Sequence, residues 1–329
     1  MKMVLKCTND KKDRSQEIEA ALKEYGVCEL EGGSYYVSGI TMPDSSMLLG
    51  IGDRSRIILD KSVKSGYAVS LGSFCSIKNL TLLGDESDPF EIPDTMGKRH
   101  GIGFIGNATS DDWKNQVRDG IIDGCQIRGF SGGGITCMNT GYSSDSSLCI
   151  SNCRIHYCGA GINIARVSEF HKVSNVIASR NCFGCVNNGG NNVFTGCSFD
   201  SNKVGFVMDN SDGLAKNNSH GSMVGCTINH SDNNNGVGIK IIGAKNGYVF
   251  SGCQMFYSKI EIESSERITF DTFNFGNEIN IKVAGAGLVA FNGCMFASKP
   301  VIDTKNAINL KFNNCYYKKG ENQYGNIEI

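Results

Sequence analysis

The sequence predicts an all-β fold: a right-handed parallel β-helix of roughly ten coils, with an N-terminal capping helix. Three observations predict it. The first is a recurring phrase in which a turn residue, Gly or Asn, precedes Cys and then a short apolar run. It is clearest at Gly225-Cys226-Thr227-Ile228 and is answered downstream by Gly236-Val237-Gly238-Ile239. The second is its period. The marker cysteines 125, 153, 197, 226, 253, 294 and 315 are separated by 28, 44, 29, 27, 41 and 21 residues. The two long gaps read as double steps, filled by degenerate copies at 175–186 and 270–281. Short periods of this kind mark solenoids, because each repeat must bury its apolar residues against the next. The third is repeat length: most copies are shorter than the roughly 30 residues of a strand–helix–strand unit.

Composition agrees. With 41 Gly and 4 Pro among 329 residues, the chain has tight turns and little linker. Length alone suggests two domains, but a solenoid grows without a second core. The expected division is therefore 1–26, a segment with the capping helix, and 27–329, one β-helix with long loops at 84–120. A net charge of −1 leaves no nucleic-acid footprint. No apolar run approaches the ~18 residues of a membrane span. The polar residues after Met1–Lys6 do not read as a secretory signal. Fifteen cysteines, an odd number without zinc-like spacing, read as buried hydrophobes stacked in a solenoid made in a reducing cytosol.

Along the chain, residues 13–25 place Ile18, Ala21, Leu22 and Tyr25 at helical spacing and stop at Gly26. This is the expected cap. Residues 27–59 then read as short strands and turns. The rhythm breaks at 84–120, where Asp85, Glu86, Asp88, Glu91 and Asp94 precede Lys98-Arg99-His100. The strand-like Gly101–Ile105 follows, and then the only tryptophan, Trp113. Long loops on a rigid scaffold carry function, and Trp113 is a candidate sugar-stacking residue. From Val117 the repeats run to Tyr317, and a polar tail closes the chain.

The stretch Gly32 to Gly52 (GGSYYVSGITMPDSSMLLGIG), preceded by the helix, resembles the opening of pectate-lyase-like β-helix proteins. That superfamily includes pectin-degrading enzymes and phage tailspikes. The resemblance covers most of the chain as an architecture and implies polysaccharide as the partner. It does not carry over a catalytic set. Ile121-Ile122-Asp123-Gly124 lacks the Trp and His of the pectate lyase motif. Ser219-His220-Gly221 and Gly238-Ile239-Lys240 echo two polygalacturonase motifs, while the Asp-Asp pair and the Arg are missing.

Aligning the second strand of each repeat on its opening residues gives two outward columns. One reads Thr136, Asn163, Val186, Val207, Lys240, Glu261 and Asn280. The other reads Met138, Ala165, Asn188, Asp209, Ile242, Glu263 and Lys282. The candidate catalytic residues are Asp209, Glu263, Glu261 and Lys240. Asp209 and Glu263, two coils apart, would stand ~9–10 Å from each other. An inverting glycosidase needs about that separation, whereas a lyase needs a base and a cation such as Lys240 or Arg166. Against this stands a solvated ladder in which Glu261 and Glu263 merely pair with Lys240 and Lys282. Candidate substrate-binding residues are Asn163, Asn188, Trp113, His220 and His230, the two histidines lying within a cluster rich in Asn and Asp. No cofactor is expected, and no motif indicates calcium.

The leading functional expectation is a carbohydrate-active β-helix of phage tailspike or depolymerase type, binding and cleaving a surface polysaccharide. A free-standing glycoside hydrolase or lyase is one alternative. A non-catalytic adhesin or structural spike is the other. Outward Val186 and Val207 in adjacent coils suggest an apolar strip and, with the tailspike resemblance, a homotrimer. Neither nucleic acid nor a membrane is expected as a partner.

Overall fold

The computed structural model describes residues 2–8, 10–84, 91–106, 117–139, 147–165, 168–211, 219–234, 236–306, 309–321 and 323–327. The chain winds as a right-handed parallel β-helix whose three long sheets run the length of the molecule. Sheet A holds 13 strands, from Met3–Leu5 to Asn309–Asn313. Sheet B also holds 13, from Gly33–Val37 to Gln323–Asn326, and sheet C holds 11, from Ile40–Thr41 to Val301–Lys305. Each turn visits A, then B, then C, and every pairing is parallel except the last, where Gln323–Asn326 folds back antiparallel on Tyr316–Gly320. Successive coils are therefore about 4.8 Å apart.

The recurring phrase of the sequence is the corner between sheets A and B. Gly124, Asn152, Asn175, Gly196, Gly225, Gly252, Gly293 and Asn314 sit there in the left-handed region, with φ between 51° and 65°. Glycine and asparagine reach this region at least cost. Thr272 occupies the same corner at φ 48° although it is β-branched. The next residue turns inward, and it is the marker cysteine. All seven are buried, with Val176 and Phe273 filling the two double steps. Cysteine suits the place because it is small and its thiol reaches the carbonyl two residues back, as in Cys153 Sγ to Ser151 O at 3.1 Å and Cys315 Sγ to Asn313 O at 3.5 Å. All fifteen thiols are free.

Equivalent inward positions stack. Phe250, Phe270, Phe291 and Phe312 lie in register on sheet A, with ring centroids 4.9, 4.6 and 4.7 Å apart and planes within 7°. The spacing of the rings is thus the rise of the coil. At the corner between B and C, Asn181 and Asn202 are buried and bridge coils: the Cys158 amide donates to Asn181 Oδ1 and the Asn181 amide to Asn202 Oδ1.

Helix Ser15–Tyr25 buries Ile18, Ala21 and Leu22 against the first coil and ends at Gly26 in the left-handed conformation. Asp13 ties its start to the β-helix by accepting from Ser15 and Ser38. The segment before the helix supplies the first strand of sheet A. Among the described residues, no helix is long and apolar enough to cross a membrane.

The first long loop runs along the axis. Asp94 O accepts from Cys182 Sγ, and its carboxylate pairs with Lys203 at 2.5 Å, four coils beyond the strand Arg99–Gly106 that the loop leads into. Asp94 thus pins the loop to the B-to-C corner. Asp85, Glu86 and Asp88 lie outside the described residues.

Candidate functional site

The outward face of sheet C collects most of the residues singled out above. One register column runs Thr136, Asn163, Val186, Val207, Lys240, Glu261, Lys282, Asp303. The adjacent column runs Asp209, Ile242, Glu263, Ala284, Lys305. The expected alignment holds through Glu261 and Glu263 and then slips by two residues. Lys282, not Asn280, follows Glu261, and Ala284 follows Glu263. Two buried isoleucines two positions apart, Ile279 and Ile281, both fit the inward pattern, and pairing selects Ile281 opposite Ile260. A slip of two keeps every side chain on its face.

The corrected register has an electrostatic consequence. Lys240, Glu261, Lys282 and Asp303 alternate in sign along the axis, an arrangement in which each charge has opposite neighbours across the strands. Beside them the face is shallow. A cleft of about 30 Å³ lies among Lys240, Ile242, Glu261, Glu263 and Lys282, and a depression of about 340 Å³ opens next to Glu263, Lys282 and Lys305.

Asp209 is half-buried at the end of strand Val204–Asp209. Its Oδ1 accepts from the Ser211 amide at 3.0 Å, and its own amide donates to Asn188 Oδ1 at 2.8 Å. Asn188 and Asp209 are therefore brought together and held in place. Asn163 is buried on the same face, four coils from Glu261.

His220 and His230 are not brought together. Strands Gly221–Val224 of sheet A and Thr227–Asn229 of sheet B lie between them, so they occupy different corners. His220 lies over Gly190, where a Cβ would meet its ring at 2.2 Å. His230 is exposed, stacks on Tyr257 at 5.0 Å and meets Asp200 Oδ1 at 3.1 Å. Trp113 and Arg166 lie outside the described residues. Val207 is only 6% exposed, so Val186 and Val207 do not form an open apolar strip. Exposed Ile121, Val193 and Val249 lie in one column of sheet A, but Cys149, Lys172 and Ser222 stand between them in that column. Among the described residues, no group of three or more His, Cys, Asp or Glu is placed to hold a metal ion.

A further depression was not foreseen from the sequence. It measures about 520 Å³ at the corner between sheets C and A and is lined by Arg118, Asp119, Ser147, Phe170, Lys172, Asn191 and Val193. That volume is in the range of small-ligand sites. Beneath it lies a buried polar layer. His171 accepts from the Leu148 amide through Nδ1 and meets Ser168 Oγ at 2.8 Å through Nε2, and Asn192 Oδ1 accepts the His171 amide. Burial holds the His171 imidazole down to about 3. The available signal was the set of long C-to-A connections, but these follow no period.

No family model matches the sequence, and no match was found among curated proteins. Solved structures do match. Over 94% of this chain and 68% of the other, the Dettilon tailspike protein superposes with a TM-score of 0.52 at 13% identity. The A-module of the mannuronan C-5 epimerase AlgE6 of Azotobacter vinelandii gives 0.57 at 15% identity, over 94% of this chain and 96% of that one. The catalytic unit of a GH87 α-1,3-glucanase from Streptomyces thermodiastaticus gives 0.64 at 10% identity, over 92% and 66%. This chain thus spans about two thirds of the tailspike and the glucanase. What it shares with all three is the right-handed parallel β-helix.

Proposed function

We propose that this protein is a carbohydrate-active β-helix of tailspike or depolymerase type, which binds a surface polysaccharide along the outer face of sheet C and cleaves it there. The observation that carries the reading is the placement of Asp209 and Glu263 in one register column, separated by a single apolar residue, Ile242. Two coils put their backbones roughly 10 Å apart, and side chains leaning together reach the spacing that admits a water between acid and base. Asp209, held by the Ser211 and Asn188 contacts, is the group we assign as base; Glu263 is its partner acid. Lys240 and Glu261, with Asn163 and Asn188, line the path of the glycan. The fold it shares with a tailspike, an epimerase and a glucanase supports a polysaccharide ligand.

A second reading is favoured by the alternation of Lys240, Glu261, Lys282 and Asp303. A self-neutralised ladder suits an adhesin that binds without cleaving. A depolymerisation screen over uronate-containing and neutral bacterial polysaccharides separates the two. Reducing ends with unsaturated-uronate absorbance identify a lyase, and reducing ends alone a hydrolase. Binding with neither identifies the adhesin. The assembly we propose is a homotrimer. A monomer mass by light scattering would overturn it.

A further inference from the structure

The depression at the C-to-A corner has a chemistry distinct from that of the sheet C face. Four of its lining residues, Asp119 (φ 57°), Ser147 (35°), Phe170 (64°) and Asn191 (51°), belong to one column in the left-handed region that Phe74 (58°) opens. The main-chain bonds from Phe74 to Arg118 O, from Ser147 to Glu169 O and from Phe170 to Gly190 O run along this column. At these positions glycine or asparagine would be least strained, and a bulky aromatic residue is an outlier. Phe74 and Phe170 nevertheless occupy two of them, 50% and 42% exposed, three coils or roughly 14 Å apart.

Charge completes the site. Arg118 stands over the Phe74 ring at 5.4 Å. Lys172, outward on sheet A and in register with Val193, forms the floor. Among the described lining residues are two cations, Arg118 and Lys172, and one carboxylate, Asp119, while Ser147 and Asn191 add neutral hydrogen-bonding groups. Asn191 in turn donates to the buried Glu169 at 2.9 Å, which fixes its amide. Flat apolar surface beside paired cations and neutral polar groups suits a ring that is apolar on its face, hydroxylated at its edge and anionic at one substituent. A phosphate is the poorer fit, because phosphate sites draw on backbone amides at helix N-termini or nests, and this wall is built of side chains.

We propose that this pocket binds an acidic saccharide: a sugar ring lies against Phe170, and its carboxylate is held by Arg118 and Lys172. A planar guanidinium and a mobile ammonium together suit a carboxylate. The choice of a sugar over other ring-shaped anions rests on the carbohydrate-active reading above, but the site is separate from Asp209 and Glu263 and is tested separately.

The test is calorimetric titration with an oligogalacturonate and with a neutral gluco-oligosaccharide of equal length. Wild-type protein should bind the acidic probe in preference, and more weakly as salt rises. Arg118→Gln and Lys172→Gln should each weaken binding by roughly tenfold. Phe170→Gly is the folding control: glycine is at ease at φ 64°, so the variant should stay folded and yet lose affinity. Equal binding of the neutral probe, or unchanged affinity in Arg118→Gln and Lys172→Gln, overturns the inference. If some other polysaccharide binds and is lost only in Asp209 and Glu263 variants, this inference fails while the carbohydrate reading stands. If no saccharide of any kind binds, both fail.

Discussion

Asp209 and Glu263 share one column of sheet C, with Ile242 alone between them. Because Asp209 also accepts from the Ser211 amide, replacing its carboxylate with an amide keeps an acceptor in place. Asp209→Asn should therefore leave the melting temperature nearly unchanged while lowering depolymerisation by about 10²- to 10⁴-fold. Glu263→Gln should do the same, and Lys282→Ala, in the neighbouring column, should not. Full activity in Asp209→Asn would remove the carboxylate pair from the mechanism.

Thr272 is the one β-branched residue at the A-to-B corner between Asn152 and Asn314, with φ 48°. Its hydroxyl bonds to the carbonyl of Asp271. Thr272→Gly should stabilise the protein by about 1 kcal/mol, since relief of left-handed strain outweighs the added freedom of the unfolded chain. Thermal unfolding should show a raised midpoint. A lowered one would mean that the corner tolerates threonine without strain.

Phe270 sits inside the ring stack, with partners at 4.9 and 4.6 Å. Phe270→Ala should cost about 3–5 kcal/mol, and Phe270→Leu much less. Urea unfolding would show this as a fall in midpoint without a change of slope.

His171 makes stability depend on pH. Burial lowers its pKa to about 3 from 6.5, so between these values the unfolded chain binds the proton that the folded chain refuses. The stabilisation is complete above pH 6.5 and is lost as pH falls towards 3, at up to about 1.4 kcal/mol per pH unit. His100 and His156 are also lowered, chiefly by burial, and act in the same direction. Asp123, held below its ordinary value by hydrogen bonds from Asn152 and Ser151, adds a loss only below the carboxylate range. Chemical denaturation of wild type and His171→Gln at about pH 7 and about pH 4.5 should show the smaller loss in the variant. An equal loss would place the acid sensitivity elsewhere.

The scaffold could be read from the sequence because one corner imposes one backbone conformation. Gly124, Asn152 and Gly225 announce it, and Cys125, Cys153 and Cys226 fill the small space beneath. Even the silent steps, Val176 and Phe273, fell where the spacing required. Register was harder, because alternation repeats every two residues and Ile279 mimics Ile281. The pocket at Arg118, Phe170 and Lys172 could not be read at all. Its residues belong to connections of unequal length, and only the stacking of coils makes neighbours of them. For the same reason, the closeness of His220 and His230 in sequence misled: a strand, a sharp corner and another strand carry them apart.

The corner at Gly225 and its equivalents has little slack, since only two residues, here Gly225 and Cys226, join sheet A to sheet B. An extra residue there would turn the inward side chains of the sheet B strand that follows to the solvent, whereas the connection from C to A already varies in length from coil to coil. The molecule therefore behaves as a rack with one fixed edge and one free edge. New peptide grafted at the free edge should leave the stack intact, and natural diversification of what the surface recognises has only that edge and the B-to-C corner in which to happen.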